Sequence, residues 1–196
     1  EDGFELFLED SNPYNPIEKK RGDPDNARLI WNLLLEEGEK YDIKPCGLGA
    51  RDSTRIEAGY TLYGHETVEK QLLSTKVDQV TPFQVGMGDF VDFDKDFVGK
   101  ESLEMQKDNV PTEMVHIEML DRGIPREGYD ILFDGEVVGE FTSGTMSPLL
   151  NKGIGIGFIE DGSANVGDEV MIDIRGREKK GVIVEPPFYD SDEYGV

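Results

Sequence analysis

The chain has 196 residues, 37% of them hydrophobic, which is enough for one sizeable domain or two small ones with a buried core. Its 42 acidic and 20 basic residues give a formal net charge of -22, and so negative a surface repels phosphate backbones and anionic lipid headgroups alike. The composition argues against a nucleic-acid-binding protein, and the acid excess would also suit a protein adapted to a saline environment.

Cysteine content and hydropathy indicate where in the cell the protein is expected and whether it enters a membrane. Cys46 is the only cysteine, so it has no partner for a disulfide and nothing indicates an oxidising compartment. No apolar run approaches the roughly 20 residues that a membrane-spanning helix needs. We therefore expect a cytoplasmic protein that does not enter a membrane. Because the chain begins without methionine, directly in a patterned strand, we also interpret it as a fragment of a longer protein.

The first predicted element is a strand. Phe4, Leu6 and Leu8 alternate with three residues that include Glu5, which is the period-2 pattern of a half-buried strand. The Glu5 carboxylate is therefore expected on the face that the core does not cover. The polar stretch 10–22 then predicts a solvated loop.

Two helices are predicted next. Asp23-Pro24-Asp25 is a helix start, and apolar residues follow at helical spacing as far as Glu37, with Gly38 placed to end the helix. A second helix is expected over about residues 50–58, closed by Gly59. A short third helix is expected around residues 100–106, and the linker 107–111 reads as a domain boundary.

Beyond that linker the pattern changes to short strands. Val115, Ile117 and Met119 alternate with polar residues, and the Asp134-Gly135 pair between two apolar runs is a strong hairpin signal. Three more runs follow at 153–159, 169–174 and 181–184, separated by Gly and Asp turns. The predicted class is therefore α+β, with an α/β segment over residues 1–107 followed by a small antiparallel β-barrel over residues 108–196.

Nine short motifs are spread along the chain. They are Glu1-Asp2-Gly3-Phe4-Glu5, Cys46-Gly47-Leu48-Gly49-Ala50-Arg51-Asp52, Arg55-Ile56-Glu57-Ala58-Gly59, Leu62-Tyr63-Gly64-His65, Thr81-Pro82, Gly86-Met87-Gly88, Phe97-Val98-Gly99-Lys100, Thr142-Ser143-Gly144 and Ser147-Pro148. In this order they resemble the T-protein, or aminomethyltransferase, family of the glycine cleavage system. The resemblance covers almost the whole chain, and so many motifs in the family's order are far more specific than any one of them.

The resemblance implies an enzyme that uses tetrahydrofolate. In that family a one-carbon unit passes from an aminomethyl group on the lipoyl arm of the H-protein to tetrahydrofolate, and ammonia is released. The acidic residue that assists transfer lies in the family's amino-terminal half, which is missing here, so no catalytic residue is assigned and the fragment alone is expected to be inactive. The resemblance thus makes residues 1–107 the carboxy-terminal part of the folate-binding region.

The resemblance also implies three cofactor-binding residues. Glu5 corresponds to the carboxylate that holds the pterin, and a carboxylate can accept hydrogen bonds from both the amino group and the ring N–H of a pterin edge. Arg51 corresponds to an arginine of the folate site, although a surface ion pair would explain it equally well without function. Tyr60 fits the family's site position better than Tyr63, and either ring could instead belong to the core.

The remaining reactive side chains give no metal or proton-transfer site. His65 has no such role in the family pattern and is expected to be structural. His116 and Cys46 have no companions at metal-ligand spacing, so no metal is predicted.

Two alternatives to the aminomethyltransferase remain open on these residues. One is a folate-dependent demethylase or amine-oxidase-associated domain of the same superfamily, which would keep Glu5 and Arg51 but use another one-carbon donor. The other is a non-catalytic folate-binding protein.

Overall fold

The structure is a computed structural model that describes residues 24–67 and 80–194. The chain divides into two compact units, Glu1–Gly47 and Leu48–Val196. The predicted strand that carries Glu5 lies outside the described residues. In the described part of the chain, no helix has the length and apolar character to span a membrane.

The first unit contains helix α1, Pro24–Gly38, followed by a 3-10 turn over Glu39–Tyr41. The predicted helix is thus confirmed. A Cβ atom at Gly38 would lie 2.3 Å from the Ile43 side chain, which explains why the helix ends on a glycine. Asp42, in the left-handed conformation at φ 56°, lets the chain fold back so that the Ile43 N–H reaches the Gly38 carbonyl.

The second unit begins with helix α2, Leu48–Glu57, which starts two residues earlier than predicted. Gly59 terminates it at φ 78°, and the Tyr60 N–H donates to the Arg55 carbonyl. Gly59 also allows a close approach, because a Cβ there would lie 2.4 Å from Pro186.

A segment without strands precedes the barrel. It contains a 3-10 turn at Gly88–Phe90 and helix α3, Lys100–Gln106, at the residues where a short helix was expected. Val91 and Phe93 alternate with acidic residues, a pattern typical of a strand, but the Asp92 carboxylate accepts from the Asp94 N–H and the chain turns instead.

Six antiparallel strands form a closed barrel, as the sequence predicted. Around the barrel the order is β1-β4-β3-β2-β5-β6, and β6 pairs with β1 to close it. The predicted turn at Asp134-Gly135 joins β2 to β3, with φ 51° and 85° at its two residues. The strands are β1 Thr112–Met119, β2 Asp130–Phe133, β3 Glu136–Met146, β4 Gly153–Glu160, β5 Glu169–Asp173 and β6 Glu178–Val184.

Strand β4 is buried on both faces, and its two faces have different side chains. Gly153, Gly155 and Gly157 lie toward the barrel interior, where Cβ atoms on the last two would come within 2.8 Å of the Phe141 and Ile131 side chains. Ile154 and Ile156 point outward and pack against Ile56 of α2 and Phe188. The outer face of β4 is therefore the platform on which α2 rests.

The α+β class with a small antiparallel barrel is confirmed. Among the described residues ahead of β1 there are only helices, turns and one isolated bridge between Tyr63 and Thr67. The division into domains at residues 107 and 108 stays a prediction. Helix α4, Ser191–Tyr194, ends the described part of the chain.

Candidate functional site

A cleft of about 510 Å³ lies at one end of the barrel in the second unit. Its lining comes from the loop after α2, the segment around the 3-10 turn at Gly88–Phe90, strand β1, the loop between β4 and β5, and the end of β6 with the residues that follow it. The lining residues are 59–61, 85–87, 90, 113–116, 164–166 and 183–186.

The lining of this cleft combines aromatic, apolar and acidic groups. Tyr60 and Phe90 expose 68% and 87% of their surface, so their rings are free to cover a planar ligand. Glu113 and Glu185 supply carboxylates, and none of the described residues that line the cleft is a lysine or arginine. The cleft therefore suits a flat, hydrogen-bond-donating ligand better than an anion.

His116, on β1, is the buried imidazole of the cleft wall. Its Nε2 atom lies 3.1 Å from the Gly59 carbonyl oxygen, and since a carbonyl only accepts, Nε2 carries the hydrogen. Burial lowers the pKa of His116 below its ordinary value, against the raising influence of the Gly59 hydrogen bond and of the Glu66 and Glu185 charges. The lowered pKa favours the neutral imidazole, which packs edge-on to the Phe188 ring with 5.7 Å between the ring centroids.

The loop that carries Tyr60 is fixed by the side chain of Arg55. This guanidinium is buried, at 3% exposure, and donates to the Tyr60 carbonyl at 3.1 Å and to the Glu66 carboxylate at 2.9 Å. It also reaches Asp52 at 2.7 Å and the Ser143 hydroxyl of β3 at 2.6 Å. One side chain therefore ties α2, the following loop and the barrel together.

Glu66 completes the same network from the other side. Its fully buried carboxylate accepts from the Leu62 N–H and from the hydroxyls of Thr142 and Ser143. A buried charge is tolerated only when it is paired and hydrogen-bonded, and both oxygens of Glu66 meet that condition.

The C-terminal end of α2 has a second anchor at Glu57. The Glu57 carboxylate accepts from the Ser147 hydroxyl at 2.5 Å, while its backbone carbonyl accepts from the Phe188 N–H at 2.9 Å. Helix α2 is thereby held both to the loop after β3 and to the segment after β6.

The opposite wall of the cleft is anchored through Gln84. Its amide donates to the Thr112 hydroxyl at 2.7 Å and accepts from the Thr81 N–H, and its backbone carbonyl accepts from the Met114 N–H. The segment that presents Met87 and the Phe90 ring is thus fastened to the start of β1.

The three predicted cofactor residues have different outcomes. Tyr60 lines the cleft, whereas Tyr63, at 86% exposure, does not, so the structure brings only the favoured tyrosine to this position. Arg51 lies on the exposed first turn of α2, outside the lining of the cleft, and forms no ion pair with a described carboxylate. Glu5 lies outside the described residues. All three assignments stay predictions.

Other reactive side chains have structural surroundings. His65 Nδ1 donates to the Thr142 carbonyl at 3.2 Å, and Cys46 is exposed. Over residues 24–67 and 80–194, no group of three or more His, Cys, Asp and Glu side chains is arranged to hold a metal ion.

Sequence reasoning missed Arg55, Glu57 and Glu66, the buried charges that hold the Tyr60 loop in place. A signal was present in the run Arg55-Ile56-Glu57, where Ile56 lies on the buried side of α2 with charged residues on both sides. Nothing in the spacing indicated that these charges would point toward the barrel.

Comparison with known proteins identifies the family. The glycine cleavage T-protein C-terminal barrel domain matches residues 113–190, and the GCVT N-terminal domain matches residues 21–95. A probable aminomethyltransferase of Pyrococcus horikoshii is 56% identical over the whole chain. The chain belongs to the glycine cleavage T-protein family.

This T-protein chain spans about half the length of the curated relatives it matches, covering 50% of the Pyrococcus horikoshii protein. The aminomethyltransferase of Symbiobacterium thermophilum is 41% identical over 97% of the chain and 46% of that relative. The crystal structure of the glycine cleavage system aminomethyltransferase T from Bartonella henselae has the same fold. The matched region covers 84% of this chain and 44% of the Bartonella henselae chain, with a TM-score of 0.71 and 24% identity.

Proposed function

We propose that this chain is the carboxy-terminal part of an aminomethyltransferase that transfers a one-carbon unit to tetrahydrofolate within the glycine cleavage system. The observation that supports this most directly is the position of Tyr60. In a chain of the T-protein family, the predicted tyrosine lines a cleft with a second exposed ring, Phe90, and two carboxylates.

The lining of the cleft is compatible with a pterin. A pterin is flat, so the exposed rings of Tyr60 and Phe90 can cover its faces. Its amino group and ring N–H are donors, and the carboxylates of Glu113 and Glu185 are acceptors. Tetrahydrofolate would supply the amine nitrogen that receives the one-carbon unit.

We assign the three predicted residues distinct roles in holding the cofactor. Glu5 accepts hydrogen bonds from the pterin edge, Tyr60 stacks on the ring, and Arg51 orients a carbonyl or carboxylate of the cofactor with its planar guanidinium. Arg51 lies four residues before Arg55, on the same side of α2. The buried network of Arg55 therefore fixes the helix that carries Arg51 as well as the loop that carries Tyr60.

The donor in this proposal is the lipoyl-carrying H-protein, and ammonia is the second product. Binding both reactants in line accounts for the contribution of this chain, since positioning alone can remove a large part of a bimolecular barrier. Proton transfer is assigned to the amino-terminal half of the longer protein. The cytoplasmic location expected from the single cysteine belongs to the same proposal.

The proposal is tested on the longer protein that includes this chain. Ammonia release should be measured from aminomethylated H-protein and tetrahydrofolate, with the Tyr60→Ala variant alongside. We expect release by the unmodified protein and slower release by the variant. If no ammonia is released but a small N-methylated compound is demethylated, the folate-dependent demethylase replaces the aminomethyltransferase. Folate binding without either reaction would leave a non-catalytic folate-binding protein.

A further inference from the structure

A second cleft, of about 400 Å³, is the basic counterpart of the first. It is lined by Arg122, Arg175, Arg177 and Lys179 around the side chain of Ile174. Four of the 20 basic residues therefore meet at one place on a chain whose net charge is -22. We name this surface the basic cleft.

The four cations of the basic cleft form no ion pair with a described carboxylate. Two nearby acids hold backbone groups instead, because Asp173 accepts from the Gly176 N–H and Asp121 from the Lys180 N–H. Glu178 alternates with Lys179 along β6, so it lies on the opposite face of the strand and does not line the cleft. Like charges held together without partners repel one another, and an anion between them would relieve that repulsion.

The backbone that carries these side chains is well defined. Arg175, at φ 57°, and Gly176, at φ 77°, form the two-residue turn between β5 and β6, closed by reciprocal hydrogen bonds between Ile174 and Arg177. The loop with Arg122 packs directly onto this hairpin, since a Cβ at Gly123 would lie 2.8 Å from Ile174 Cδ1. Arg122 and the arginines of the hairpin therefore line the same cleft, together with Ile174.

The basic cleft is separate from the cleft that Tyr60 lines. Strand β6 runs from Lys179 at the basic cleft to Val184 at the other. Ile183 also lines the other cleft, so four residues of extended chain, about 13 Å, separate the two. The two clefts also have opposite chemistry, since one is lined by carboxylates and the other by cations.

We propose that the basic cleft binds a small multivalent anion, with phosphate or clustered carboxylate groups as the recognised chemistry. Its volume falls within the range of small-molecule sites. Three guanidinium groups offer paired N–H donors that match the oxygens of phosphates and carboxylates. The proposal does not depend on the aminomethyltransferase activity.

The test is calorimetric titration of the longer protein with inorganic pyrophosphate and, separately, with citrate, at low salt. We expect saturable binding of one anion per chain. The double variant Arg175→Gln/Arg177→Gln should weaken that binding about tenfold or more, because it removes two charge-assisted contacts. Whichever of the two probes binds more tightly distinguishes a phosphate site from a carboxylate site.

A charge-matched control separates a local site from general electrostatics. The double variant Lys95→Gln/Lys107→Gln also removes two positive charges, but from another part of the second unit. It should leave the affinity for the anion within twofold of the unmodified protein. Equal weakening in both variants, or binding that does not saturate, would overturn the proposal. So would an acidic peptide that binds the basic cleft while neither small anion does, since that surface would then recognise proteins. Thermal melting of both variants checks that they are folded.

Discussion

At the scale of single residues, the backbone of Tyr60 is held far more firmly than its ring. The backbone N–H and carbonyl both bond to Arg55, while 68% of the side chain is exposed. A fixed backbone under an exposed ring suits a ligand-covering residue, because the backbone is ordered before the ligand arrives and only side-chain freedom is lost on binding.

Removing the Tyr60 ring tests that interpretation. Tyr60→Ala should weaken tetrahydrofolate binding by the longer protein about tenfold, roughly 1.4 kcal/mol, because stacking is lost. Tyr60→Phe should keep most of the affinity. Tyr63→Ala is the matched control, since Tyr63 is also exposed but lies outside the cleft. Equal losses in Tyr60→Ala and Tyr63→Ala, measured by calorimetry, would remove Tyr60 from the site.

The buried pair of Arg55 and Glu66 makes a stability prediction. Glu66→Gln keeps the shape but removes the charge opposite the guanidinium, and breaking a buried pair in this way costs about 3 kcal/mol. We expect the melting temperature of the unit to fall by roughly 6–12 °C. The exposed Glu101→Gln should change it little. A melting temperature unchanged by Glu66→Gln would show that the pair does not hold the loop.

His116 predicts how stability depends on pH. Because its pKa in the folded protein lies below the ordinary value of 6.5, the folded state binds the proton less readily than the unfolded chain. Its contribution to stability is therefore complete above about pH 6.5 and is lost as the pH falls from there toward the folded-state pKa. In urea unfolding curves across this range, His116→Gln should flatten the pH dependence. An unchanged slope would contradict the prediction.

At the scale of elements, β4 connects the barrel interior to α2. Its glycines admit the interior side chains, and its isoleucines support the helix that precedes the Tyr60 loop. One face of the strand accommodates core side chains and the other supports α2, so substitutions on the two faces should destabilise the protein for different reasons.

The interior face is tested by Gly157→Val. A Cβ there would lie 2.7 Å from the Glu140 carbonyl oxygen and 2.8 Å from Ile131 Cδ1. The forced displacement should cost about 1–3 kcal/mol, the range of overpacked cores. Gly49→Ala in α2 meets no atom within 4 Å and should be neutral or slightly stabilising. Equilibrium unfolding gives the free energy of unfolding of both variants. A Gly157→Val variant as stable as the unmodified protein would show that Gly157 does not face the barrel interior.

The sequence predicted the positions of helices and strands better than it predicted which way their faces point. Cap and turn residues located α1 and the turn at Asp134-Gly135, because those signals act over a few residues. The run 153–159 predicted a strand but could not indicate which face is interior, since both faces of β4 are buried. Arg55 and Glu66 could not be predicted as a pair, because their contact depends on where the barrel places Ser143 and Thr142.

At the scale of the whole molecule, the net charge of -22 acts over longer distances than any of these contacts. Two acidic proteins approach each other slowly at low ionic strength, because their repulsion reaches about 30 Å at 0.01 M salt but is largely screened beyond about 10 Å at 0.1 M. Docking of an acidic donor protein should therefore be helped by added salt.

This makes a prediction for the proposed activity. If the H-protein partner is also acidic, the rate of ammonia release at subsaturating H-protein should rise with salt concentration and then level off. The rate with saturating H-protein is the control and should change less, since encounter no longer limits it. A profile that is flat or falls would count against salt adaptation as the reason for the acidic composition.

The anchors on the two sides of the Tyr60 cleft have a consequence for how the cleft responds to change elsewhere. One wall is fastened to β3 through Arg55 and Glu66, and the other to β1 through Gln84. Both attachment points belong to strands that pair with β4, so the hydrogen-bonded spacing of β1-β4-β3 sets the distance between the two anchors. A substitution that disturbs the pairing of β4 should therefore shift Tyr60 relative to Phe90 without touching either residue.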